Sequence, residues 1–158
     1  MRKLFLTFFY SGLSPYAPGT AGSIVASILG FAILQYFPMQ TLFLLTILFT
    51  IVGIREINIY EKITGTHDDK SIVIDEVVGV WLAFVLSSAT MTQMILSLVY
   101  FRIFDIWKPS IIGKIDKNVK GGLGVMGDDI LAGILAGICS AGTWQFILYL
   151  SKTIPFKL

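Results

Sequence analysis

The sequence predicts an all-α, compact membrane-embedded helical bundle of about five main helices, forming one domain over residues 1–158. Hydrophobic residues make up 55% of the chain and charged residues 14%, with a mean hydropathy of +0.80. A soluble domain is nearer half apolar and a quarter charged. No charged residue occurs between positions 4 and 54, a run that can hold two bilayer spans of about 17 to 25 residues each. At 158 residues the chain fits one domain and is short for two.

Met1-Arg2-Lys3 and the apolar run behind it have the outline of a signal peptide, but the chain stays hydrophobic well past any cleavage point, so the segment is expected to be retained. The Pro/Gly-rich stretch 14–22 reads as a loop, with Thr20 or Ser23 capping a first span over 20–37. Pro38 marks a hinge before a second span over 40–57. Charge returns between 55 and 70, which reads as a solvated connection. Residues 77–101 are again uncharged, but the polar patch 87–93 divides them, giving two shorter helices over 71–87 and 93–108. The segment 108–127 contains five glycines and reads as an aqueous loop with room for one short helical turn. The last span covers 128–150. Its Ala132-Gly133, Ala136-Gly137 and Ala141-Gly142 pairs either permit close helix packing or merely populate a membrane helix.

With the basic N-terminus placed inside, alternation puts the start of the first span, the end of the second, the start of the third, the end of the fourth and the start of the fifth on one face. Those ends carry nearly all the charges. Spans three and four are short and are expected to enter the bilayer without crossing it fully.

A net charge of +2 with no clustering of basic and aromatic residues argues against a nucleic-acid partner. The single Cys139 excludes a disulfide framework and a thiolate metal site. What remains is acidic. Asp75-Glu76, Asp105 and Asp128-Asp129 lie among apolar residues, where a carboxylate costs about 2.5 to 3.5 kcal/mol at the membrane centre. A bound cation would compensate, and oxygen ligands with a single His67 point to Mg²⁺. The alternative is that these acids are caps stabilised by the positive ends of their helices. Arg102, Asp105 and Lys108 recur every three residues on one helix face, either as an anion site or as a salt-bridge ladder. The amides of Gly121 and Gly122 are candidates for phosphate contact at a helix start, as are the hydroxyls of Thr20 and Ser23, while a flexible connector explains the same glycines. His67, Asp68 and Asp69 read either as an acid/base group or as part of a solvated loop. No nucleophile elbow or Cys–base pair is present, so covalent catalysis is not indicated.

Four motifs occur in order: Ser14-Pro15-Tyr16-Ala17-Pro18-Gly19-Thr20-Ala21-Gly22-Ser23, Ile74-Asp75-Glu76-Val77-Val78-Gly79, Phe101-Arg102-Ile103-Phe104-Asp105-Ile106-Trp107-Lys108-Pro109, and Gly121-Gly122 through Asp128-Asp129. Together they resemble the signature of the phosphatidylglycerophosphatase A family. The resemblance implies an all-helical, Mg²⁺-dependent enzyme of the bacterial inner membrane with phosphatidylglycerophosphate as substrate among the membrane lipids; alternation from the basic N-terminus puts its site on the cytoplasmic face. It makes Asp75, Glu76, Asp105, Asp128 and Asp129 the metal candidates, with Arg102 and Lys108 near the phosphate. Asp75, Glu76, Asp105, Asp129 and Arg102 are the expected catalytic set. Two rivals remain: a phosphatase for another lipid phosphate, and a small ion or phosphate transporter with acids spread through the membrane depth.

Overall fold

The computed structural model describes residues 2–67, 69–88, 90–109 and 111–153. Among them are α1 (Arg2–Leu6), a 3-10 turn (Ser11–Leu13), α2 (Pro18–Tyr36), α3 (Met39–Thr64), α4 (Ile74–Leu86), α5 (Met91–Trp107), α6 (Ile111–Asn118) and α7 (Gly122–Thr153), with no strand. The five longer helices are the five expected. By length and hydropathy α2, α3 and α7 can cross a membrane. The 13 residues of α4 rise only about 20 Å, short of a hydrocarbon core about 30 Å thick.

Helix α4 is the centre of the bundle. Beyond its acidic first turn its sequence is apolar all round, which suits a helix enclosed by others; eight of its residues are buried, and α2, α3, α5 and α7 all pack on it. Its contact with α7 is made backbone to backbone. A Cβ on Gly133 would strike the carbonyl of Gly79, a Cβ on Gly79 would meet the Asp129 carbonyl at 2.7 Å and the Phe101 ring, and one on Gly137 would meet the Ala83 carbonyl at 3.0 Å. Ala132 and Ala136 are fully buried beside them. Of the three small-residue pairs, the first two therefore serve packing, whereas Gly142 faces open space.

On the other side of α4, the Trp81 indole donates to the Ala26 carbonyl of α2 at 2.8 Å and stands edge-on to Phe8, with ring centroids 6.2 Å apart. Residues 2–13 are part of the fold: Leu6 and Phe8 are buried, Val73 N–H donates to the Leu6 carbonyl at 2.9 Å, and Arg2 pairs with Glu56 at 2.7 Å. At the far end of α4 the chain turns through 87–90, of which residue 89 lies outside the described residues. Polar groups there find partners within the protein. Ser87 N–H donates to the Ala83 carbonyl at 3.1 Å, and Ser140 of α7 donates to the Gln93 carbonyl at 2.8 Å. That is the condition for backbone to turn at membrane depth.

Helices α2, α4 and α7 run one way and α3 and α5 the other, so the start of α2, the end of α3, the start of α4, the end of α5 and the start of α7 gather at one end, as alternation predicts. Several boundaries differ from expectation. Helix α3 continues through the charged stretch to Thr64, where Gly65 at φ +70° ends it and donates to the Glu61 carbonyl; the connection to α4 is confined to 65–73, and its last two residues, Ile72 and Val73, are buried. Neither Thr20 nor Ser23 caps α2, which starts at Pro18 with no side-chain cap, and the Ser23 hydroxyl donates instead to the Gly19 carbonyl at 2.9 Å. The segment read as an aqueous loop contains the eight-residue α6, and α7 starts at Gly122. Glycine there serves contact: a Cβ at Gly122 would strike the Ile54 carbonyl of α3.

Gly133→Val should force α4 and α7 apart and lower stability by at least about 1 to 3 kcal/mol, whereas Gly142→Ala should be neutral or slightly stabilising. Thermal unfolding in detergent distinguishes the two; equal midpoints would overturn the backbone contact.

Candidate active site

The gathered helix ends enclose a cavity of about 350 Å³ whose lining includes Gly19, His67, Lys70, Asp75, Glu76, Asp105, Lys108, Asp128 and Asp129. All five acids singled out in the sequence therefore meet in one place. They arrive as two similar pairs on neighbouring helices: Asp75 Oδ1 accepts the Glu76 amide at 3.0 Å on α4, and Asp128 Oδ1 accepts the Asp129 amide at 3.1 Å on α7. The Gly79–Gly133 contact one turn further along holds the pairs together. Asp105 comes from α5. Asp75 and Glu76 do sit in the first turn of α4, as caps would. Asp128 and Asp129 lie well inside α7, beyond the first turn where helix-end attraction acts, and are 6% and 3% exposed. Capping does not account for them.

The cations are held in place by neighbours. Arg102 Nη1 donates to Asp105 Oδ2 at 2.7 Å and stands 3.6 Å from Glu76 Oε1. The same guanidinium donates to Ser23 Oγ at 3.4 Å and, through Nη2, to Thr20 Oγ1 at 3.2 Å. The two hydroxyls expected to meet a head group thus orient Arg102. Lys108 ends α5 in the left-handed conformation, φ 45°, which is uncommon outside glycine, and its Nζ pairs with Asp128 Oδ2 at 2.7 Å. One rung of the expected ladder along α5 is present, Arg102 to Asp105, while Arg102 also reaches α2 and Lys108 reaches α7.

Gly121 and Gly122 do not join the cavity lining. The Gly122 amide donates to Asn58 Oδ1 of α3 at 2.8 Å, and a Cβ on Gly121 would meet the same oxygen at 2.6 Å. The Gly122 amide is thus engaged by α3. Sequence reasoning missed Asn58, and it missed Gly19 and Gly22. A Cβ on Gly19 would strike Glu76 Oε1, and one on Gly22 would lie 2.8 Å from Glu76 Oε2. Their i, i+3 spacing was the available signal, but only knowledge that α2 lies on α4 gives it meaning.

His67 lines the cavity and its Nδ1 lies 2.6 Å from Glu61 Oε1; Asp68 lies outside the described residues. Asp69 shapes the connection that brings His67 and Lys70 to the cavity. Its carboxylate accepts the Ser71 amide at 2.9 Å and the Tyr60 hydroxyl at 2.7 Å. The Ser71 amide first, then the Tyr60 hydroxyl, hold the Asp69 carboxyl below its ordinary value.

The donor set fits a hard divalent cation. Five carboxyl groups share the cavity, Asp129 feels the charges of the other four, and Glu76 Oε2 is buried without a hydrogen-bond partner. Among the described residues no three His, Cys, Asp or Glu side chains form a cage by themselves. Mg²⁺ does not need one, since it keeps several waters and is commonly held by one or two carboxylates plus substrate phosphate.

The sequence profile of phosphatidylglycerophosphatase A matches residues 4–144. The chain belongs to the phosphatidylglycerophosphatase A family. It is 40% identical over 140 residues to "Phosphatidylglycerophosphatase A" of Escherichia coli, covering 88% of this chain and 78% of that one. It is 38% identical over 131 residues to the protein of the same name in Haemophilus influenzae, covering 82% and 80%. A "Putative phosphatidylinositol-3-phosphatase" of Bacteroides thetaiotaomicron is 42% identical over 142 residues, covering 85% and 88%. No solved structure matches. Membership in the phosphatidylglycerophosphatase A family makes the chain a phosphatase, and its bacterial relatives together with three helices long and apolar enough to cross a membrane point to a bacterial membrane protein.

Because the folded pKa of Asp69 is lowered, its contribution to stability is complete above the unfolded value of about 3.9 and is lost as pH falls through the folded one. Asp69→Asn should lower the thermal midpoint at neutral pH and flatten its decline in acid; a variant that melts as the parent does at every pH would refute the anchoring role.

Proposed function

We propose that the protein hydrolyses the terminal phosphate monoester of phosphatidylglycerophosphate, with Mg²⁺ held among Asp75, Glu76, Asp105, Asp128 and Asp129, at the cytoplasmic face of the inner membrane. One observation carries the reading: five acids and Lys108, from α4, α5 and α7, line a single cavity at the end of apolar helices, with Arg102 held beside it against Asp105 and Glu76. A transport path would instead distribute such groups through the membrane depth. A site at the membrane boundary lets the lipid's acyl chains stay in the bilayer while its phosphate reaches the acids. Arg2, Lys3, Arg55, Lys62, Lys70 and Lys120 lie at this same end of the bundle, which supports a cytoplasmic orientation.

Uncatalysed phosphate-monoester hydrolysis is among the slowest of biological reactions, and the residues here supply mainly positioning and charge. Arg102, already oriented by Thr20 and Ser23, offers a planar fork to two phosphoryl oxygens. Lys108, which lines the cavity, brings a second positive charge. Both stabilise charge that builds up as the ester bond breaks. The carboxylates would hold the cation, and the low exposure of Asp128 and Asp129 would keep bulk water from competing for it. Bound Mg²⁺ supplies Lewis-acid polarisation of the phosphoryl group and of water.

The Bacteroides relative motivates a second reading in which the substrate is a phosphoinositide. Phosphate release by the purified protein in detergent, from phosphatidylglycerophosphate, phosphatidate and phosphatidylinositol 3-phosphate in parallel, with and without Mg²⁺, decides between them. Mg²⁺-dependent release mainly from the first lipid is expected; a preference for the third would transfer the assignment, and release unaffected by chelation would remove Mg²⁺ from it.

Asp129→Asn should abolish turnover while leaving the thermal midpoint of the metal-free protein unchanged or higher, because a buried charge is removed. Arg102→Lys should lower kcat/KM about 100-fold with the fold intact. Full activity in either folded variant would sink its role.

A further inference from the structure

Two helical stripes face one another across the crevice between α2 and α5. On α2, Thr20, Ser23, Ser27 and Phe31 follow at helical spacing; on α5, Arg102, Leu98, Ile95 and Met91 follow in the opposite direction. The end of the crevice nearest the acids is polar, closed by the Arg102 hydrogen bonds to Thr20 and Ser23. Beyond Ser27 the walls become apolar, with Ile28 and Phe31 on one side, Met91, Ile95 and Leu98 on the other and Phe84 of α4 at the back, around a cavity of about 220 Å³. A second depression on the outer face of α5 shares Leu98 and includes Arg102. The apolar crevice thus begins one helical turn from the guanidinium: Ser27 at its mouth donates to the Ser23 carbonyl, and the Ser23 hydroxyl accepts from Arg102.

The geometry points to an acyl-chain site: one chain of the lipid whose phosphate meets Arg102 lies in the α2–α5 crevice. This rests on the lipid-phosphatase reading above and adds to it how the substrate is held. Three features select this occupant. The mouth of the crevice at Ser27 and Leu98 is one helical turn from Arg102, so a chain attached to a group bound at the guanidinium can enter it directly. From Arg102 to Met91 the stripe advances eleven residue steps, about 16 Å of helix, close to half of a hydrocarbon core about 30 Å thick and hence to the depth of one leaflet. The walls include Met91 and Met94, side chains that adapt to an irregular chain. A comparable apolar crevice between α3, α4 and α7, lined by Phe43, Ile47 and Leu82 among others, lies on the other side of the bundle from Arg102 and serves as the control.

Ile28 and Ile95 are 65% and 55% exposed, so Ile28→Trp and Ile95→Trp would fill the crevice without entering the core. The full-length protein in detergent is assayed on dipalmitoyl and dihexanoyl phosphatidylglycerophosphate. Filling the crevice should raise KM for the long-chain lipid about tenfold through lost apolar contact, leave the short-chain lipid unchanged, and have no counterpart in Ile47→Trp. Equal effects on both lipids, no effect on either, or the same effect from Ile47→Trp would overturn the site. A second measurement needs neither variant nor turnover: a lipid phosphate with a photoactivatable acyl chain is crosslinked to the unaltered protein. Label concentrated on α2 and α5, and reduced when the lipid lacks its phosphate, supports the site. Label spread evenly around the bundle, as for bulk lipid, or absent from the crevice, as for a protein partner seated there, refutes it. Failure of the unaltered protein to release phosphate from either lipid would count against the phosphatase reading, and the crosslinking would still decide the crevice.

Discussion

The contact between α4 and α7 at Gly79 and Gly133 governs the rest of the molecule. Two carboxylate pairs on adjacent helices repel one another, and nothing in their own chemistry brings them together. What does is a stretch of backbone contact in which neither helix carries a side chain at the point of approach, so that dispersion between closely set main chains acts over a long interface. The site is electrostatically costly and is stabilised by packing just beside it, the arrangement expected where function is built against local stability. Each further element adds a constraint on this pair: α2 brings Thr20 and Ser23 to orient Arg102, α5 supplies Arg102, Asp105 and Lys108, and α3 fastens the start of α7 through Asn58.

The order of the elements and the collection of charged ends at one face were legible in the sequence because both follow from hydropathy and alternation. The acids and cations of the site were legible for a related reason: among so few charged residues, those set in apolar surroundings stand out. The glycines were legible only in part. Gly133 and Gly137 have the spacing of a packing stripe and behave as one. Gly121 and Gly122 have the composition of a loop, but their lack of a side chain is used for contact with the Ile54 carbonyl and Asn58, and that depends on where α3 ends. Thr20 and Ser23 are a similar case. Their hydroxyls look outward in sequence terms, and only the position of α5 shows them bonded to a guanidinium.

The charged stretch after Arg55 was misread because charge was taken as the end of a helix. A helix that emerges from an apolar layer can continue in water with its polar side chains exposed, and Ile57, fully buried, keeps α3 attached to the bundle while Arg55 and Lys62 face away. The hydrophobic run marks where the surrounding medium changes, not where the hydrogen-bonded ladder stops.

The shortness of α4 has a consequence of its own. Its far end stops about 10 Å before a hydrocarbon core about 30 Å thick would end, while α7 continues for many residues past the level where Gly137 meets Ala83. The protein is therefore deep on one side and shallow beneath the α4–α5 turn, and acyl chains of the opposite leaflet must fill the space below that turn. Such a shape favours a locally thinned bilayer, and stretching or thickening the surrounding lipid changes how far the acidic end sits from the headgroup plane at a modest cost per ångström. The composition and thickness of the membrane thereby enter the working geometry of the site directly, through the length of one helix.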